Sequence, residues 1–144
     1  MKLVVQRVTK ASVTIDKKVY NEIKTGMLVL VGFTENDTQD NIDYLIKKLI
    51  NLRIFDDESG VMNKSILDIK GEILSISQFT LYADTTGGNR PSYTKALDKD
   101  EATIRYDEFN KKLNEFIPTK SGIFGAEMQI NLTNDGPVTI ILEK

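Results

Sequence analysis

Asn134-Asp135-Gly136-Pro137-Val138-Thr139 leads into the last apolar run of the chain, Val138 to Leu142. Asp-Gly marks a turn, and Pro137 then fixes φ and removes a backbone N–H. A proline inside a ladder is tolerated only at an edge, a strand start or a bulge. The stretch therefore presents bare main-chain carbonyls on a rigid frame, either as a tight turn or as a device that reads shape with main-chain atoms. The strand that follows reads as apolar on both faces, which implies a covered sheet or a subunit contact.

Working back from that strand, Glu127 to Thr133 alternates, with Met128, Ile130 and Leu132 on one side. Leu3 to Ile15 is rich in Val and Thr and reads as two strands meeting near Lys10-Ala11. Met27 to Phe33 is a continuous apolar run, the mark of a strand covered on both faces. Leu52 to Phe55 reads as a short strand, Asp56 to Gly60 as a turn, Glu72 to Leu81 as a long apolar strand and Gly87 to Pro91 as a loop. Two segments are helical. Asp37 or Thr38 caps the first, whose apolar stripe is Ile42, Leu45, Ile46, Leu49 and Ile50. Asp98 to Glu101 resembles a capping box for the second, which carries Ala102, Tyr106, Phe109, Leu113, Phe116 and Ile117 on one face and stops at Pro118. Six or seven strands with two helices that do not alternate strictly with them predict an α+β fold: a mostly antiparallel sheet or half-barrel with both helices on one face.

The chain of 144 residues is expected to form one domain, residues 1–144. No Pro/Gly/Ser-rich linker or repeat divides it, and no apolar run approaches the ~20 residues that span a bilayer. The early charges of Lys2 and Arg7 argue against a signal peptide, so the expectation is cytoplasmic and without a membrane partner. A net charge of −2 argues against coating a long nucleic-acid backbone but not against holding one end of an RNA.

The chain contains neither Cys nor His. Thiolate nucleophiles, Cys/His zinc sites and Ser-His-Asp or Cys-His relays are therefore excluded. No side chain has an unperturbed pKa near 7. An enzyme built from this sequence must use shifted carboxylates or Lys, a carboxylate-bound metal, or a group on its substrate.

Several constellations remain. Ser77-Gln78-Phe79-Thr80-Leu81 closes an apolar strand, where sites tend to be built; if the backbone stays extended, Gln78 and Thr80 share one face. Arg7 interrupts an apolar strand and is either an edge-strand surface charge or a guanidinium seeking carbonyls or a carboxylate. Phe124, between Gly122 and Gly125, is a core plug or a stacking surface for a base. Asn89 to Ser92 touches phosphate or caps a turn. Asp56-Asp57-Glu58 lacks the EF-hand spacing and reads as a solvated turn.

Taken together, Arg7 to Val13, Leu52 to Phe55 with Asp57 to Asn63, Ser77 to Asp84, Arg90-Pro91-Ser92-Tyr93 and Met128 to Thr139 resemble, in this order, the D-aminoacyl-tRNA deacylases. The resemblance covers nearly the whole chain, and the pair Ser-Gln-Phe-Thr-Leu and Asn-Asp-Gly-Pro-Val-Thr is highly specific. It implies a homodimer with its site at the subunit interface. Ser77, Gln78, Phe79 and Thr80 match the segment lining the family's pocket. Gly136-Pro137 matches its cis-proline pair, which reaches into the partner's pocket, Arg7 an arginine that helps fix that pair, and Phe124 a position near the terminal adenosine. Val61, Tyr93 and Ser121 stand where many members have Lys, Phe and Thr.

The implied reaction is hydrolysis of the ester joining a D-amino acid to the 3′-terminal ribose of tRNA, with no cofactor and no metal. Such an ester is already reactive and carries an adjacent 2′-OH, so positioning can replace a side-chain base. Backbone N–H groups around Phe79 and Thr80 are candidates to stabilise the oxyanion; the substrate 2′-OH is preferred over Thr80 as the assisting group. Rigid carbonyls of Gly136-Pro137 would exclude L side chains by clash and leave glycine accepted. The alternatives are a non-catalytic dimeric module binding an RNA 3′ end, and a metal-dependent hydrolase using Asp56, Asp57 or Asp84.

Overall fold

The computed structural model describes residues 1–144. Its long strand β1, Lys2–Ile15, is the spine of the sheet. After a tight turn at Asp16 and Lys17, β2 (Lys18–Ile23) and β3 (Gly26–Gly32) return antiparallel along its length, so that Ala11 faces Ile23 and Leu3 faces Val31. On its other side β1 carries β8, Gln129–Glu143, also antiparallel. Beyond β3 the sheet continues in parallel through β6 (Glu72–Ser77) and β7 (Thr119–Ser121). Side chains of β2 and β7 then approach: Asn21 Nδ2 donates to Ser121 O at 2.7 Å and Lys120 Nζ to Glu22 O at 2.7 Å. The sheet thus curls nearly closed, a half-barrel, with β4 (Phe55–Asp56) and β5 (Met62–Lys64) as a separate small hairpin.

Both helices cover one face. In α1, Gln39–Ile50, Thr38 is the N-cap, and Ile42, Leu45, Ile46, Leu49 and Ile50 are all buried, as the stripe predicts. Asp37 instead pairs with the amino group of Met1 in the interior. In α2, Lys99–Asn114, Asp98 caps by accepting the Asp100 amide, while Glu101 pairs with Arg105 rather than closing a capping box. The larger core lies between these helices and the sheet and includes Leu3, Val29, Ile73, Tyr106 and Phe109. A second cluster, with Val8, Val13, Leu28, Leu74 and Ile76, fills the concave side.

Five expectations need correction. Leu3 to Ile15 is one strand; the break near Lys10 is where its ladder passes from β3 to β2, leaving Thr9 and Lys10 exposed. The stretch at Asp135-Gly136 is no turn but a bulge inside the continuous β8. The strand after α1 begins only at Phe55, not at Leu52. The strand from Glu72 ends at Ser77, and Phe79–Tyr82 forms a 3₁₀ turn, because the Gln78 amide donates to Val31 O and the chain then coils. Phe116 is 57% exposed, since α2 ends at Asn114 and the following turn aims Ile117, not Phe116, into the core.

Candidate active site

The end of β6 opens into a cavity of about 620 Å³. Its walls come from both core clusters: Val31 from β3 and Phe33 just after it, Ile76 from β6, Leu97 and Ala102 around the start of α2, Phe124 from the loop after β7, and Met128 and Ile130 at the start of β8. Ser77, Gln78 and Phe79 line it, so three of the four strand-end residues singled out from sequence meet there, together with Phe124. Phe124 is half-buried and packs on Tyr106 with ring centroids 5.8 Å apart, so it is at once a core contact and a wall of the cavity. Phe79 is 54% exposed and meets Tyr93 edge-on at 5.0 Å.

Thr80 is not on the wall. Its Oγ1 accepts from Gln78 Nε2, and no carboxylate or amine bonds it. A helical turn leaves its first N–H groups without intrahelical acceptors. Here these belong to Phe79 and Thr80, and Gln78 makes no side-chain cap that would satisfy them. Two main-chain donors thus lie where the chain leaves the wall at Phe79. Tyr106 Oη donates to Ser75 O at 2.8 Å, and burial pushes the phenol's pKa above its ordinary value.

Arg7, Gly136 and Pro137 form a second constellation away from this cavity. Gln6 pairs with Thr139 and Val8 with Asn134, so residues 135–138 stand opposite Arg7 alone. Asn134 bridges the bulge, Oδ1 accepting the Val138 amide at 3.0 Å and Nδ2 donating to Thr139 Oγ1 at 2.9 Å. Arg7 is buried rather than a surface charge. Its guanidinium donates to Ile54 O at 2.7 Å, Asp135 O at 3.2 Å and Asp56 Oδ1 at 3.2 Å, and pairs with the Asp135 carboxylate. The Gly136–Pro137 peptide bond is cis, and both residues are exposed. At φ +117°, with Arg7 Nη2 3.1 Å and Val138 Cγ2 2.9 Å from where a Cβ would lie, position 136 accepts only glycine.

No three carboxylates converge in a metal-binding cluster. Asp57 is held below the usual carboxylate range by the backbone amides of Val61 and Ser59, as expected of a turn. Asp84 is likewise lowered, by the Lys95 ammonium first and Thr86 second.

The model of the D-Tyr-tRNA(Tyr) deacylase family matches residues 4–143. The chain belongs to that family. A solved structure described as a c-Myc DNA unwinding element binding protein is 43% identical, with a TM-score of 0.96 over 100% of this chain and 99% of that one. A probable eukaryotic D-amino acid tRNA deacylase, 16% identical, shares the fold with a TM-score of 0.84 over 98% of this chain and 97% of its own. This family member is therefore a hydrolase acting on D-aminoacyl-tRNA. Of its pocket walls, sequence reading missed Tyr93, Leu97, Lys99, Met128 and Ile130 as site residues. The available signal was Lys99, a cation placed first in a helix where an anion is favoured.

Proposed function

We propose that the cavity at the end of β6 receives the D-aminoacyl-adenosine end of tRNA and that the ester is hydrolysed there to free D-amino acid and tRNA, with glycyl esters also accepted. The observation that carries this reading is the meeting, at Phe79, of an apolar cavity whose wall holds no carboxylate with two uncapped amides, those of Phe79 and Thr80. Water adds to the ester carbonyl carbon, the amides hold the oxyanion, and collapse breaks the bond to the ribose oxygen, which takes up the proton the water gave up. Ser77 and Gln78 supply neutral hydrogen-bonding groups that orient the substrate. The substrate 2′-OH assists the attacking water. Thr80 serves as a support, because its only side-chain partner is an amide that cannot activate it. Phe124 offers a ring to the terminal adenine.

The working unit in this reading is a homodimer in the cytoplasm. Strand β8 pairs only with β1 and leaves its other edge free over 15 residues. An edge this long invites a second strand. On the same strand Ile141 is 63% exposed, so the outer face of the final run is uncovered within one chain. Gly136 and Pro137 project from the bulge but line no part of their own subunit's cavity. Placed in the partner's cavity, their carbonyls occupy the space an L side chain requires, while Arg7 ties the preceding Asp135 carbonyl from behind.

Turnover of D-tyrosyl-tRNA beside L-tyrosyl-tRNA, before and after exhaustive chelation, tests the reading. Hydrolysis of the D ester alone, unchanged by chelation, is expected. Loss on chelation favours a metalloenzyme, and binding without turnover an RNA 3′-end module.

A further inference from the structure

Lys99 is the one charged residue on the cavity wall. Its stem lies across Gly125, Cε and Nζ being 3.3 and 3.6 Å from where a Cβ of that glycine would stand, next to Phe124. It forms no ion pair, whereas Lys95 nearby is engaged by Asp84 at 2.8 Å. Local helix energetics do not explain it either. Lys99 is the first residue of α2, and a cation at the positive end of a helix dipole is disfavoured. An exposed, unpaired ammonium on the wall of an apolar cavity, beside the ring assigned to the terminal adenine, is free to meet the nucleotide's backbone.

We propose that Lys99 binds the phosphate on the 5′ side of the terminal adenosine, and so distinguishes a nucleotide within an RNA chain from a free aminoacyl nucleoside. The proposal rests on the cavity being the deacylation site. It gives a chain of net charge −2 a local anion contact without a general affinity for polyanions. An exposed lysine–phosphate pair is worth about a two- to fivefold preference.

Two small substrates test this: adenosine carrying a 3′-linked D-tyrosyl ester, with and without a 5′-phosphate. In the wild type, kcat/KM is expected to be about two- to fivefold higher for the phosphorylated ester, and the preference to fade at high salt. In Lys99→Met the ratio of the two falls to about one, whatever happens to the absolute rate, while Lys99→Arg restores it. With whole D-aminoacyl-tRNA, the slope of log(kcat/KM) against log salt falls by about 0.7 in Lys99→Met. Hydrolysis of both esters with no phosphate preference in the wild type, or an unchanged ratio in Lys99→Met, overturns the proposal. So does a loss confined to D-aspartyl and D-glutamyl substrates, which would place Lys99 at the amino-acid end. Failure of both esters to be cleaved, with D-aminoacyl-tRNA also intact, overturns the deacylation site beneath it instead.

Discussion

Replacing Arg7 by Met separates the stability of the bulge from its shape. Methionine keeps most of the aliphatic stem and removes every donor. The Ile54 carbonyl, bonded at 2.7 Å by a side chain only 8% exposed, then loses its partner in the interior. An orphaned buried acceptor costs about 1–3 kcal/mol. The Asp135 carbonyl, at 3.2 Å, is less deeply placed and adds a smaller amount. The carboxylates of Asp56 and Asp135 are 49% and 46% exposed, so water replaces much of what they lose; each pair contributes at most about 1 kcal/mol. The expected loss is about 2–4 kcal/mol, or roughly 6–12 °C in Tm for a chain of this length. Arg7→Lys, with one compact ammonium in place of a fork, should recover less than half. Urea unfolding at fixed protein concentration measures it, because a dimer's midpoint depends on concentration. The D-to-L ratio of kcat/KM should fall in the same variant, since Asp135 O no longer tethers the bulge. A stability change below about 0.5 kcal/mol would refute the energetic argument. A full stability loss with an unchanged D-to-L ratio would show that Arg7 holds the fold and not the filter.

Four further outcomes are expected. Thr80→Ala keeps deacylation within about tenfold, whereas a nucleophile's removal costs several orders of magnitude in single-turnover rate. A tRNA ending in 2′-deoxyadenosine with a 3′-linked D-amino acid is bound nearly as well but hardly cleaved; cleavage at the normal rate would hand the chemistry to a protein group. Ile141→Arg, on the uncovered face of β8, shifts sedimentation towards monomer and lowers turnover together; an active monomer would remove the cross-subunit arrangement. Asp84, whose pKa is lowered by Lys95 and then Thr86, contributes order present above the unfolded carboxylate value and lost as pH falls through the lower folded one. Hydrogen exchange at the Ser92 amide, which donates to Asp84 O at 2.8 Å, should therefore stay slow down through pH 4 in the wild type and already be faster at pH 7 in Asp84→Asn.

The helices were legible because their signals repeat at every turn. Ile42 to Ile50 names one face five times, and no tertiary contact competes with it. The bulge was not, because its signal is local and its cause is distant. Asp-Gly-Pro reads as a turn, but Asn134 spans the irregularity and Arg7, 128 residues away, bonds the Asp135 carbonyl, so the strand runs on. Strand β7 has no apolar pattern in Thr119-Lys120-Ser121; parallel pairing with β6 alone makes it a strand. In the site, Ser77 to Phe79 were findable because one contiguous motif carries them. The rest of the wall gathers Tyr93, Lys99, Phe124 and Met128 from separate segments, and only Phe124 stood out, flanked by glycines.

In the proposed function, the division between an apolar cavity and a main-chain bulge follows from what each can discriminate. Two enantiomers carry the same apolar area, so an area term of roughly 25 cal/mol per Å² separates them only where shape lets one bury more than the other. Hydrogen bonds to the ester and the adenine are common to both hands as well. Only an obstacle at one defined place separates them, and its value is limited by how far it yields. A side chain on a loop yields by changing rotamer. A carbonyl between Asn134 and Thr139 yields only if the bulge moves, and the bulge is closed across its base by Asn134 and tied from behind by Arg7. A filter made of main chain is also indifferent to which D side chain enters, since it never contacts the side chain it admits. Under that reading, breadth towards D-amino acids and tolerance of glycine are one property of the filter.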